Sequence, residues 1–256
     1  MTQPTVSEPS VCALLLTADR PHLARRAVES FRRQTYPAKR LFGLDSSANS
    51  TPGLPWGDSD STVMWVPALD LPIGGLRNYA LHAALGWHEF EIVVHFDDDD
   101  WSHPNRIAEQ VELLQSSGAD VVGFREMLFW REGQLLAGDP SKWHGEAWLY
   151  SNPNPGYALG TSLCYWRRTW ERKPFPATSF GEDIQFCTGL KVCGVSYRTV
   201  EWHGNWHVEQ EYEPRMIARI HAGNTSTAYT PAKMAAAREW RRVPEWDKYC
   251  RRTLEA

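Results

Sequence analysis

Four consecutive aspartates, Asp97 to Asp100, follow directly on the apolar run Ile92-Val-Val-His-Phe96. Carboxylates this close raise one another's pKa, and a divalent cation would offset the repulsion while bridging to phosphate oxygens. A solvated acidic turn ahead of the helix that begins near Pro104 would use the same residues, because Asp and Ser favour helix N-termini. The buried strand immediately upstream shifts the balance toward a functional turn. Arg77, behind Gly74-Gly75, stands beside the start of another helix, where backbone N–H groups and the helix dipole suit an anion. Gly181-Glu182-Asp183 precedes an apolar helical pattern, and alone it reads as an N-terminal cap. Trp202-His203-Gly-Asn-Trp206-His207 brings two imidazoles into one short segment. They could complete a metal shell or be polar loop histidines.

These residues need a scaffold, and the apolar pattern supplies one. Val11 to Thr17 reads as a buried parallel strand, and Pro21 opens a helix to about Gln34 with Leu23, Ala27, Val28 and Phe31 as its stripe. Strands follow at Leu41–Leu44 and Val63–Val66, with a Ser-, Pro- and Gly-rich loop between them. A helix over about Leu76–Leu85, the strand at Ile92, a helix from Pro104 to about Ser117 and a strand at Ala119–Phe124 complete the first half. The alternation predicts an α/β fold: a mixed, mostly parallel sheet flanked by helices. Asp45 and the aspartate run both fall at strand carboxyl ends, where such sheets bind ligands. The second half is less regular. It suggests a hairpin around Glu132-Gly133, a strand over Gly160–Trp166, a helix over Gly181–Val192 and a strand over Val195–Trp202. From Pro231 onward it suggests a helical, Arg-rich tail.

The segment His95-Phe-Asp-Asp-Asp-Asp-Trp-Ser-His-Pro-Asn-Arg-Ile107 resembles the Asp-x-Asp-Asp-Trp motif of family 2 glycosyltransferases, which adopt the Rossmann-like GT-A fold. Leu16-Thr17-Ala18-Asp19-Arg20-Pro21, the helix ending Ser30-Phe-Arg-Arg-Gln-Thr-Tyr-Pro37, Gly75-Leu-Arg-Asn-Tyr-Ala and Gly181-Glu182-Asp183 are similar to further motifs of that family, in its order. The resemblance covers residues 11 to 226. It implies a nucleotide-sugar-binding half over 11–125 and an acceptor-side half over 126–230, between a flexible 1–10 and the basic tail at 231–256. Thr17 and Asp45 would lie at the nucleoside, Arg77 at the nucleotide, and Asp97 and Asp98 at ribose or metal. Asp99 would ligate Mn²⁺ or Mg²⁺, joined by Asp97 and by His207, whose spacing from Asp183 fits better than that of His203. Asp183 would be the general base and Glu182 its positioning neighbour. The implied reaction is an inverting transfer from a nucleotide-diphosphate sugar, UDP-linked by preference, to an acceptor hydroxyl. Arg219-Ile-His221-Ala-Gly-Asn224 resembles a tail motif that closes over the diphosphate.

The sequence also departs from the family. Asp45-Ser-Ser-Ala stands where a second carboxylate is usual, and the segment from Met127 to Tyr157, with Trp130, Trp143 and Trp148, has no family pattern. The formal charge of −4 does not advertise nucleic acid as a partner, although the basic tail keeps it open. Thirteen Trp residues offer platforms for sugar rings or bases as well as core packing. Five Cys without a Cys-x-x-Cys fit a reducing, cytoplasmic setting, and no apolar run is long enough to span a bilayer. A nucleotidyltransferase would share the sheet and the metal logic, but Thr17-Ala-Asp-Arg20 replaces its Gly-rich loop. A carbohydrate- or nucleic-acid-binding module would have no use for Asp97, Asp99 and Asp183 together. The acceptor stays open among glycan, lipid-linked sugar, protein and modified DNA base.

Overall fold

Residues 8–52, 54, 58–132, 145–196, 202–203, 206–207, 214–221 and 230–255 are described by a computed structural model of the chain. The elements begin with β1 (Val11–Thr17), α1 (Pro21–Arg32), β2 (Lys39–Asp45), β3 (Ser61–Trp65) and α2 (Ile73–Leu85). Next come β4 (Ile92–His95), β5 (Trp101–Ser102), α3 (Arg106–Ser117), β6 (Val121–Phe124), β7 (Glu126–Arg131) and β8 (Glu146–Ser151). A 3-10 turn at Gly160–Ser162 leads into β9 (Cys164–Trp166), α4 (Arg167–Arg172), α5 (Glu182–Cys187) and β10 (Val192–Val195). The chain ends with β11 (Trp202–His203), β12 (Trp206–His207), β13 (Met216–Ile220), α6 (Pro231–Ala236), β14 (Trp240–Arg242) and α7 (Asp247–Glu255).

Seven strands form the main sheet in the order β10-β6-β9-β4-β1-β2-β3. Every neighbouring pair is parallel except those of β9, which runs antiparallel to both β4 and β6. Helices cover both faces, which is why the central strands run apolar over consecutive positions rather than at alternate ones. On one face Ala24, Ala27 and Phe31 of α1 and Ile107, Val111 and Leu114 of α3 pack over Ala13 and Leu15. On the other, Ala80, Leu81 and Ala84 of α2 meet Leu14, Phe42 and Trp170. A second sheet, ordered β14-β8-β7-β13-β5, stands beside the first. Asp97–Asp100 form the turn where the chain leaves β4 in the first sheet and enters β5 in the second.

The second half differs from its sequence reading in three places. The helix predicted over Gly181–Val192 ends at Cys187, because Gly189 adopts a left-handed φ of +76° and turns the chain into β10. The strand expected over Val195–Trp202 instead covers Val192–Val195, with residues 197–201 outside the described ones. The strand predicted over Gly160–Trp166 begins with the 3-10 turn, and only Cys164–Trp166 pair. The segment from Pro231 holds a strand as well as helices. Its Trp240–Arg242 pair antiparallel with Trp148–Tyr150 and extend the second sheet. Of the hairpin expected around Glu132-Gly133, the part from residue 133 onward lies outside the described residues, and β7 pairs antiparallel with β8 at Glu146–Ser151. Among the described residues no helix is long and apolar enough to cross a membrane.

Candidate active site

A cleft of about 470 Å³ opens at the carboxyl ends of β1 and β4. Its walls include Thr17, Arg20, Arg77, Asp97 to Asp100, Gly160, Thr161, Glu182 and Asp183. Residues scattered over 167 positions of sequence are thus gathered by three devices: strand ends, the buried face of α2, and the start of α5.

The aspartate turn is held from several sides. Thr17 Oγ1 donates to Asp98 Oδ2 at 2.7 Å, directly linking the ends of two adjacent parallel strands. Arg20, one residue before α1, pairs with Asp98 at 2.9 Å and with Asp99 at 3.2 Å. Asp100 accepts from Thr161 Oγ1 and, at 3.3 Å, from the Arg219 backbone N–H. Beneath them Arg106 is fully buried, donating to the carbonyls of His95 at 2.7 Å and Thr161 at 3.3 Å. Burial first, and the neighbouring Asp99 next, push the Asp98 and Asp100 carboxyls above the ordinary carboxylate range, against the pull of Arg20 and Arg106 respectively. The turn is therefore short of positive charge.

Arg77 occupies the buried stripe of α2, in line with Gly74, Ala80, Leu81 and Ala84. Its guanidinium lies 3.6 Å from Asp97 and 3.7 Å from Glu182, too far for good hydrogen bonds. Among the described residues its Nε and Nη1 find no hydrogen-bond partner although both are buried. Buried N–H groups left in this state cost about 1–3 kcal/mol each, and an anion in the cleft would satisfy them. The approach of α2 to the loop before α5 demands glycine at 74, where a Cβ would collide with the Pro176 carbonyl.

No family model and no curated protein sequence matches the chain. Solved structures do. TarS 1-349 from S. aureus in complex with UDP-GlcNAc superposes with a TM-score of 0.55 at 15% identity, covering 88% of this chain and 64% of that one. Its complex with UDP gives 0.51 at 15%, covering 82% and 60%. The mannosyltransferase PcManGT from Pyrobaculum calidifontis, in complex with GDP-Man and Mn²⁺, gives 0.51 at 16%, covering 98% and 69%. The fold is GT-A. The chain spans less than two thirds of the TarS chains it matches.

Within this GT-A frame the predicted residues fall into three groups. Thr17, Arg77, Asp97, Asp98, Asp99, Glu182 and Asp183 all line the one cleft. Asp45 lies behind it: fully buried, it accepts from Ser47 N at 3.0 Å, from Ser47 Oγ and from Thr51 N at 2.9 Å, while Ser46 forms the wall. Its carboxylate shapes the loop after β2. The side chain of His207 lies outside the described residues, as does that of His203.

Two histidines were under-read from sequence. His221 places Nε2 3.1 Å from Asp99 Oδ2, because β13 runs antiparallel to β5 with Ile217 opposite Trp101 and carries the next residues past the turn. His95 is fully buried and held neutral by desolvation first and the Arg77 charge second. Its Nδ1 meets the Gly160 carbonyl at 2.7 Å and must carry the proton, since a carbonyl only accepts. The sole signal for His95 was a polar residue inside an otherwise apolar strand.

Glu182 is buried, and desolvation raises its pKa, opposed by Arg77 and reinforced by Asp183. A carboxyl raised in the folded state stabilises fully below its unfolded pKa and loses that contribution as pH rises through the folded value. Glu182→Gln, which mimics the protonated form, is therefore expected to match the parent near pH 4 and to melt progressively higher than it toward pH 8, with no ligand present. A Tm difference that stays flat over that range would show that folding does not raise the Glu182 pKa.

Proposed function

We propose that the chain is a glycosyltransferase of the family 2 type, moving a sugar from a nucleotide-diphosphate sugar to an acceptor hydroxyl with inversion. The observation that carries the reading is the single cleft in which Arg77, with unsatisfied buried N–H groups, and the aspartate turn face Asp183. The fold supports it, as do the nucleotide and nucleotide-sugar complexes of the structural neighbours, two of them with UDP or UDP-GlcNAc. A UDP-sugar is the favoured donor.

In this reading Thr17 and Asp98 flank the nucleoside, and Arg77 donates to the diphosphate. Asp183 takes the proton of the acceptor hydroxyl as its oxygen attacks the anomeric carbon. The bond from that carbon to the diphosphate oxygen breaks, and its electron pair leaves with the nucleotide diphosphate. Attack from the face opposite the leaving group inverts the anomeric centre, and one base suffices for such a displacement.

The donor set suits a divalent cation. Asp99 and His221 already converge, and a carboxylate with an imidazole matches Mn²⁺. Among the described residues no three His, Cys, Asp or Glu side chains form a fuller shell. The remaining positions would fall to diphosphate oxygens and water, as is usual for cations held at phosphates. Once bound, such an ion supplies positive charge for the departing diphosphate. Arg20 then holds Asp98 and steadies the turn.

The test is a thermal-shift series with UDP-, GDP-, dTDP- and CMP-sugars, each with and without Mn²⁺. A donor at about 100 times its Kd should stabilise the fold by about 2.7 kcal/mol. The metal-dependent part of the shift is expected to vanish in Asp99→Ala and to shrink in His221→Ala. If no donor shifts the parent protein, the glycosyltransferase reading fails. If Asp99→Ala keeps the full metal-dependent shift, only the metal assignment does.

A further inference from the structure

Among the described residues six large apolar side chains are exposed, and two of them, Phe180 at 78% and Ile184 at 57%, share the wall of the cleft. They flank Asp183, one on each side along the chain. Single exposed apolar residues are ordinary on protein surfaces, but a pair at the mouth of a cleft marks a place where a ligand is covered. Phe180 is also held in place. The Gly74 N–H donates to the Thr178 carbonyl at 3.0 Å and the Ile73 N–H to Ser179 Oγ at 3.2 Å, tying its loop to the start of α2. Tyr157 and Phe129 add two further aromatic residues to the lining of the same cleft.

Charge narrows what this half can accept. Carboxylates outnumber guanidinium groups six to three among the described residues that line the cleft. Each guanidinium already faces an acid: Arg20 faces Asp98 and Asp99, Arg77 faces Asp97 and Glu182, and Arg219 faces Glu132. A polyphosphodiester threaded past Asp183 would meet a carboxylate between exposed apolar side chains, with each guanidinium of the cleft already beside an acid. A pyranose ring carries no charge and presents a flat C–H face that stacks on an aromatic ring, with hydroxyls at its edge.

We propose that Phe180, backed by Ile184, is the acceptor platform, and that the acceptor is an uncharged glycan whose pyranose ring stacks there with one hydroxyl at Asp183. This rests on the glycosyltransferase reading of the cleft. Stacking puts the ring edge, rather than its face, toward the base.

The experiment titrates the full chain, with and without UDP and Mn²⁺, against methyl pyranosides of the gluco, galacto, manno and N-acetylglucosamine series and against a decathymidylate, followed by ligand-observed NMR. At least one pyranoside is expected to bind. Phe180→Ala should weaken it by about tenfold, the scale of a lost aromatic contact, while Phe180→Trp retains it. The thermal shift given by UDP and Mn²⁺ should be equal in all three proteins. Absence of pyranoside binding, pyranoside binding indifferent to Phe180→Ala, or decathymidylate binding that depends on Phe180 would each overturn the proposal. A missing UDP shift in the parent protein would instead strike the donor reading, and the pyranoside titration without nucleotide would still decide the platform.

Discussion

Asp183→Asn is expected to lower kcat by about 10²–10⁴-fold, the usual contribution of a positioned base, while leaving nucleotide-sugar binding in place. The amide keeps the shape and loses the ability to take a proton. Geometry explains why binding should survive. Asp183 Oδ1 accepts from the Ile184 N–H at 2.8 Å, a bond that the Asn carbonyl oxygen can replace. Its carboxylate fills the space over Gly160, where a Cβ would collide with it. Gly160 is in turn held through its carbonyl by His95. Asp183 thus packs against a turn held from the end of β4, the same strand that launches the aspartate turn. The check is a transfer assay paired with a donor thermal shift. A variant with near-parental kcat would show that another group removes the proton. A variant with lost donor binding would show that Asp183 is part of the nucleotide site.

How far the site was legible depended on whether its residues are set by local or by long-range structure. The aspartate turn announced itself because a continuously apolar strand runs straight into four carboxylates, a pattern with a cost that something must offset. Arg77 could be read for a different reason: behind Gly74-Gly75 it stands beside a helix start, where backbone N–H groups and the dipole suit an anion. The main sheet followed from short apolar runs alternating with helical stripes, and its parallel pairing matches that reading. His221 was visible in a motif, but its meeting with Asp99 depends on the antiparallel register of β13 on β5, across more than a hundred residues. No local period encodes such a pairing. The same holds for β14, whose Trp240-Arg-Arg242 sits in an Arg-rich stretch that reads as helix until Trp148–Tyr150 are there to pair with it. Phe180 and Ile184 were beyond reach for another reason: apolar residues beside a helix start read as core until the structure leaves them exposed.

Arg106→Met should cost about 3–5 kcal/mol of folding stability, the range for removing one side of a buried charge arrangement. For a chain of this size that is a fall in Tm on the order of 10 °C. Arg106 is fully buried and ties together pieces distant in sequence. Its Nε donates to Gln110 Oε1 at 3.0 Å, its Nη1 to Ser102 Oγ at 2.9 Å, and its Nη2 to the carbonyls of His95 and Thr161. Methionine fills similar space, so the loss is of hydrogen bonds and charge rather than of volume. Two main-chain carbonyls would lose this donor, and Asp100, already pushed upward by burial, would keep the Thr161 hydrogen bond but lose the Arg106 charge that also pulls it down. The double change Arg106→Met with Asp100→Asn separates these effects. If charge balance dominates, neutralising Asp100 recovers part of the loss, and the two changes are non-additive by about 0.5–3 kcal/mol. Strict additivity in urea unfolding would assign the whole effect to the hydrogen bonds. Either way the acidic turn and the Gly160–Ser162 turn that braces Asp183 share one anchor, so Arg106→Met should reduce kcat as well as stability.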